Sequence, residues 1–201
     1  SASRTSRSHA TKHIQDRCKA LRHKMKELLK RLKILDYLHT ELVIKKNDFV
    51  NRLRDHVDEG SIDIFSDTFD VLSSSKNEYK GEVSFNGFKI KRRRTFFDMN
   101  MNIAVANGTY SQKDDKLIIS TEINGLHGIM IPFYIFCIII YGVLIVGFLS
   151  ADEIGGKAIG FAFPFIIFHA VFMMVVPYLI MRRSTKKLKH QLEREFYCLT
   201  K

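Results

Sequence analysis

Residues 128–183 read GIMIPFYIFCIIIYGVLIVGFLSADEIGGKAIGFAFPFIIFHAVFMMVVPYLIMRR, and their reading decides the fold. Between Glu122 and Asp152 lie 29 residues with no Asp, Glu, Lys or Arg, and between Lys157 and Arg182 lie 24 more. A helix of about 20 apolar residues spans the roughly 30 Å hydrocarbon core of a bilayer. Two such runs joined by SADEIGGK predict a transmembrane hairpin, with spans at 129–149 and 158–181. A pair of buried core helices is the alternative. A chain of 201 residues offers too little soluble mass to wrap both helices on all sides.

The charges beside the spans predict orientation. The connecting loop carries Asp152, Glu153 and Lys157, whereas the segment after the second span carries Arg182, Arg183, Lys186, Lys187 and Lys189. The positive-inside rule places the basic end in the cytoplasm. With two spans, the N-terminal part follows it there. The expected location is the inner (plasma) membrane with both termini cytoplasmic.

Toward the N-terminus, the first eleven residues, SASRTSRSHAT, are small, polar and basic, and are expected to be disordered. No apolar h-region stands there, so a secretory signal is not expected; the Arg/Ser-rich, acid-poor stretch through residue 35 also suits a transit peptide. Ile14, Cys18, Leu21, Met25, Leu28, Leu32 and Leu35 then recur in steps of four and three, a heptad seam. No Gly or Pro interrupts residues 10–59, so a helical, coiled-coil-like region is expected over 12–59. Arg17, Arg22, Lys24 and Arg31 flank the seam, and in a parallel homodimer these like charges would meet. Residues 1–35 hold eleven Lys/Arg against two acids, and residues 47–70 hold seven acids against Arg52 and Arg54. An antiparallel helical hairpin pairing the two stretches is therefore expected, within one chain or between chains. A long helix lying on anionic lipid is the competing reading.

Residues 60–78 predict a short amphipathic helix, with Phe65, Phe69 and Leu72 at helical spacing, and a Ser-rich linker. Residues 79–124 predict a small antiparallel β domain of about four strands. Val83, Phe85, Phe88 and Ile90 alternate with polar residues around Asn86-Gly87, and the Asn-Gly pair recurs at 107–108, a strong hairpin signal. Asp114-Asp115 marks another turn before KLIISTEI. So few strands cannot close a barrel and need cover. Residues 182–201, with Leu188, Leu192 and Phe196 four apart, predict a basic cytoplasmic helix. The expected class is an α+β membrane protein: N-terminal helical hairpin or long helix, small antiparallel sheet, two-helix hairpin and C-terminal helix.

Phosphate loops, nucleophile elbows, metalloprotease helices and dinucleotide fingerprints are absent from the sequence. Cys18, Cys137 and Cys198 show no pairing pattern and no zinc spacing, and His9 and His13 lack a third ligand. No enzyme, metal or cofactor is expected. Lys89, Lys91, Arg92, Arg93 and Arg94 form the densest basic cluster. With Arg182 and Arg183, they are candidates for contact with anionic lipid headgroups or a phosphate-bearing ligand. Nucleic acid is not an expected partner, because interleaved aromatics are missing from the cluster.

The order GEVSFNGFKIKRRR, strand, two spans and basic helix resembles a group of small uncharacterised bacterial membrane proteins. In that group, a G-x-V…G-F-K-I-x-R strand pair precedes a two-span hairpin. Gly81, Val83, Gly87, Phe88, Lys89, Ile90 and Arg92 are the matching positions. The resemblance implies a fold and a cytoplasmic strand domain, and no activity. The expected function is a non-enzymatic, membrane-anchored assembly or interaction protein that binds a protein partner or further copies of itself. The rival expectation is a small oligomeric pore gated by its cytoplasmic part.

Within the second span stands His169. Counted outward from the loop, it is level with Ile138. Tyr134, Cys137 and Tyr141 form one stripe on the first span around that level. An intramembrane ionisable group faces protein by default. His169 is therefore expected to hydrogen-bond a tyrosine hydroxyl or a backbone carbonyl freed by Pro164 or Pro177, with Ala158 and Ala162 allowing close approach.

Overall fold

The computed structural model describes residues 2–62, 77–93, 102–126, 128, 130–150 and 156–200, without the side chains of 2–14, 148–149 and 156–162. Helix α1 (Ala2–Arg31) is followed by β1 (Leu35–Leu42), α2 (Lys46–Asp55), β2 (Val57–Glu59), β3 (Tyr79–Val83), β4 (Gly87–Arg92), β5 (Val105–Lys113), β6 (Lys116–Asn124), α3 (Met130–Leu149) and α4 (Gly156–Cys198). The fold is α+β. Its six strands form one mixed sheet in the order β1-β6-β5-β4-β3-β2. All neighbours are antiparallel except β2 and β3.

The N-terminal third departs most from the sequence reading. Residues 35–42 are a strand, not helix, and Leu35 leaves the seam to enter the sheet. The helix is stopped by a Schellman turn. Lys33 takes a left-handed φ of 57°. The Ile34 N–H donates to Leu29 O and the Lys33 N–H to Lys30 O, both at 3.0 Å. Leu29 and Ile34 close the turn with an apolar contact. Gly or Asn normally fills that position, so a lysine gives no stop signal. Beyond it, Leu38, Thr40 and Leu42 are buried while His39 and Glu41 are exposed, a period of two that the four-residue Leu38–Leu42 spacing hides. The whole of β1 pairs with β6.

The expected helical hairpin gives way for the same reason. Phe49, Val50 and Leu53 of α2 are buried in the sheet's core, and Arg17, Arg22, Lys24 and Arg31 of α1 are exposed. The described ion pair of α1 is Lys26 with Glu122 of β6 at 2.6 Å. Residues 2–11 are not a separate tail but the first turns of α1. They hold no Gly or Pro, and each added residue extends an existing ladder by one bond. The amphipathic helix expected within 60–78 falls on residues 63–76, outside the described ones.

Strands β3 to β6 lie close to where the alternation places them, with differences at both Asn-Gly pairs. β3 ends at Val83, so Phe85 lies in the turn, and Gly87 begins β4 rather than completing an Asn-Gly turn. Asn107-Gly108 is no turn but the interior of β5, where Gly108 pairs with Phe88 and Thr121. A Cβ at Gly108 would lie 2.1 Å from Phe88 Cε1, so this glycine admits a ring across the sheet. Asp114-Asp115 does form the β5–β6 turn, with Asp114 at φ 53°.

One face of the sheet is covered by α2 and the C-terminal half of α4. At its centre, Phe49, Phe88, Tyr110 and Phe196 pack with ring centroids 5.6–5.8 Å apart. The other face exposes His39, Glu41, Asn107, Thr109 and Ser111. Helix α4 runs 43 residues with Pro164 and Pro177 inside it, so the second apolar run and the C-terminal helix are one element. Both α3 and α4 are long and apolar enough to cross a membrane. Their apolar side chains face outward: Val143 is 68% exposed and Phe168 69%. In water that surface would be a liability; against hydrocarbon it is not.

Candidate functional site

Two places gather the polar groups that stand apart from the core. The first is the contact between α3 and α4. Spacings of three and four put Tyr134, Cys137 and Tyr141 on one side of α3, and that side meets α4. Tyr141 Oη and His169 Nδ1 are 2.6 Å apart. Phe165, one turn earlier, stacks on the imidazole with centroids 6.3 Å apart. Tyr134 Oη donates to Met174 O at 3.2 Å, one residue after Met173, whose carbonyl is the one deprived of a helical N–H by Pro177. Cys137 is buried between these two contacts. The contact with Tyr141 lies nearly one turn nearer the loop than the level of Ile138 obtained by counting. His169 remains exposed on its outer side.

The second place is the junction of α4 with the sheet, just beyond Arg182 and Arg183, which are both exposed. Ser184 Oγ accepts the backbone N–H groups of Ile103 and Ala104 at 3.0 and 2.9 Å. Thr185 Oγ1 lies 3.0 Å from both Ile34 O and Met181 O. The Gly125 N–H also donates to Ile34 O, at 2.8 Å. A Cβ on Gly125 would lie 2.3 Å from Thr185 Oγ1. Two adjacent hydroxyls thus join α4 to the chain entering β1 and β5, and Gly125, on the way to α3, bonds the same Ile34 carbonyl. Around them Leu29, Ile34, Leu35, Ile103 and Met181 form a small core, with Tyr37, Met130, Tyr134 and Tyr178 packed against it. Sequence reasoning passed over Ser184 and Thr185. Their one signal is a pair of short hydroxyl side chains inside an otherwise long-side-chain helix, where such groups back-bond or reach a neighbour.

Ion pairs fasten the same region. Lys189 Nζ lies 3.0 Å from Asp36 Oδ2. The hydrogen bond from Lys26 to Glu122 raises the Lys26 pKa above its ordinary value. Burial raises the Tyr37 phenol.

Three charges of the basic run, Lys91, Arg92 and Arg93, are buried or paired. Lys89 is exposed, but Lys91 is fully buried. Arg92 sits 3.4 Å from Glu78 and Arg93 2.9 Å from Asp58. Pairing and burial thus engage Arg92, Arg93 and Lys91, and leave Lys89 facing outward. Arg94 lies outside the described residues. On α1, Cys18, Leu21, Met25, Leu28 and Leu32 are all exposed; the Ile14 side chain is outside the described set, as are Ala158 and Ala162.

Elsewhere, the Tyr79 and Tyr110 hydroxyls are buried without a hydrogen-bond partner among the described residues. Burial pushes both phenols well above their ordinary pKa. Among the described residues, no group of three or more His, Cys, Asp or Glu could hold a metal ion. No family model, no curated protein and no solved structure matches this chain.

Proposed function

We propose that this protein is a non-enzymatic assembly or interaction protein anchored in the inner (plasma) membrane by α3 and α4, with its sheet domain and both termini in the cytoplasm. The observation that carries the reading is the continuity of α4. One helix passes from the apolar run into the sheet's core, and Ser184 and Thr185 bond it to the sheet where the run ends. A domain so joined is held at a fixed height and angle rather than on a tether. The Lys/Arg excess from Arg182 to Lys189, against one lysine in the loop, supports the orientation. Self-assembly is supported by His169, an ionisable group exposed on the pair. In hydrocarbon such exposure is costly, and a second hairpin would relieve it.

The mass of the detergent-purified protein, corrected for bound detergent, is expected at a multiple of 23.3 kDa. A single-chain mass at all concentrations would remove self-assembly from the proposal. Orientation is read with an impermeant thiol reagent on intact cells. A cysteine at exposed Ser150 should react and one at exposed Lys186 should not; the reverse pattern overturns the topology. The pore reading draws on the same exposure of His169. Ion flux from loaded vesicles, abolished by His169→Phe without loss of assembly, would favour it.

A further inference from the structure

We propose that the exposed apolar stripe of α1 lies in an anionic lipid leaflet, at the level where α4 emerges from the bilayer. The inference rests on the membrane-anchored reading and adds a second, peripheral contact to it.

From Gln15 to Met25 every side chain of α1 is exposed. The stripe is large: Leu21 is 66% exposed, Leu28 57% and Met25 48%. Most helical stability in proteins comes from packing an amphipathic face, and the uncovered apolar stripe of α1 calls for an occupant.

Three observations identify that occupant. The first is the base of the helix. Leu29 packs with Met181 and Ile34, and Tyr178 Oη donates to Leu32 O at 3.2 Å. Tyr178 and Met181 close the apolar run of α4, and Arg182 and Arg183 follow at once. A tyrosine followed by arginines is what an interface holds, so the C-terminal end of α1 lies at headgroup level.

The second observation is its course. β1 runs beside α4, because Ile34 meets Thr185 and Asp36 meets Lys189. Had α1 followed the strands away from the apolar helices, it would cover His39 and Glu41. Both are exposed, as is the facing part of α1. Traced toward its N-terminus from Leu29, the helix leaves the sheet beyond Lys26 and does not climb it.

The third is charge. At about 100° per residue, Cys18, Leu21, Met25, Leu28 and Leu32 fall in a sector about 80° wide. Arg17, Lys24 and Arg31 border one side and Arg22 the other, where Lys26 pairs with Glu122; Asp16, Lys19, Glu27 and Lys30 lie behind. Basic stems on both flanks suit an anionic leaflet. In a paired copy of the same helix, those flanks would bring like charges together.

The native Cys18 gives the test its probe. The full chain, with Cys137→Ala and Cys198→Ser, is labelled at Cys18 with an environment-sensitive fluorophore and placed in nanodiscs with or without phosphatidylglycerol. Parallel samples carry the label at His23→Cys, on the opposite side of α1, and at Ile139→Cys on α3. Nitroxide-bearing lipid should quench the Cys18 and Ile139 probes. Iodide should quench the His23 probe several-fold more strongly than the Cys18 probe. The protection at Cys18 should be lost in phosphatidylcholine alone and weakened by salt. If the Ile139 probe escapes lipid quenching, the membrane-anchored reading itself fails. If Ile139 is quenched while Cys18 stays open to iodide in both lipids, the anchor stands and this inference is overturned. Protection at Cys18 without lipid quenching, together with energy transfer between labelled copies, would assign the stripe to a second chain and also overturn it.

Discussion

Tyr141 Oη and His169 Nδ1 lie 2.6 Å apart, joining α3 to α4 between two apolar surfaces. Hydrogen bonds between membrane helices contribute about 0.5–2 kcal/mol. Tyr141→Phe and His169→Phe should each lower the thermal midpoint in detergent by a few degrees at most, and the double variant should lose little more than either single one. That shortfall from additivity is the signature of a direct pair. Fully additive losses would mean that the hydroxyl and the imidazole act separately.

Lys33 holds a left-handed backbone at φ 57° with its side chain exposed, so glycine can replace it without losing packing. Relief of the left-handed conformation, set against glycine's greater freedom when unfolded, should stabilise the protein by about 0.5–1 kcal/mol. Lys33→Val should destabilise it, because a branched Cβ tolerates that region least. Equal midpoints for the two variants in chemical denaturation would remove the Schellman turn as the stop of α1.

The buried phenols of Tyr79 and Tyr110 keep their protons to higher pH in the folded chain, whereas an unfolded tyrosine titrates near pH 10, about its ordinary value. Above that pH the unfolded state binds fewer protons than the folded state, so stability falls as pH rises. Each phenol contributes a slope of up to about 1.4 kcal/mol per pH unit until its folded pKa is reached. Tyr110→Phe should flatten the alkaline loss and leave neutral-pH stability equal or slightly higher, since it removes a buried hydroxyl that lacks a partner among the described residues. An unchanged alkaline slope in the variant would show that Tyr110 ionises freely in the folded state.

The two apolar helices were legible from the sequence, because freedom from charge over 29 and 24 residues is a composition effect and needs no knowledge of neighbours. The stripe of Tyr134, Cys137 and Tyr141 was legible too, because helical spacing alone puts the three on one side. The four strands between Tyr79 and Asn124 followed from alternation. What stood beyond the sequence was decided by contacts far apart in the chain. Residues 35–42 carry apolar residues that suit either period, and pairing with β6 chose the strand. Asn107-Gly108 has the chemistry of a turn, but the Phe88 ring needed a position without a side chain in the middle of β5. The basic run of β4 has the charge of an anion site, and Glu78 and Asp58 engage two of its arginines. Ser184 and Thr185 mean nothing until Ile34, Ile103 and Gly125 arrive beside them. Local periodicity and composition act through each residue's immediate neighbours, and so they survive in the sequence alone. Which polar group meets which partner depends on the chain path, and only the tertiary structure sets that.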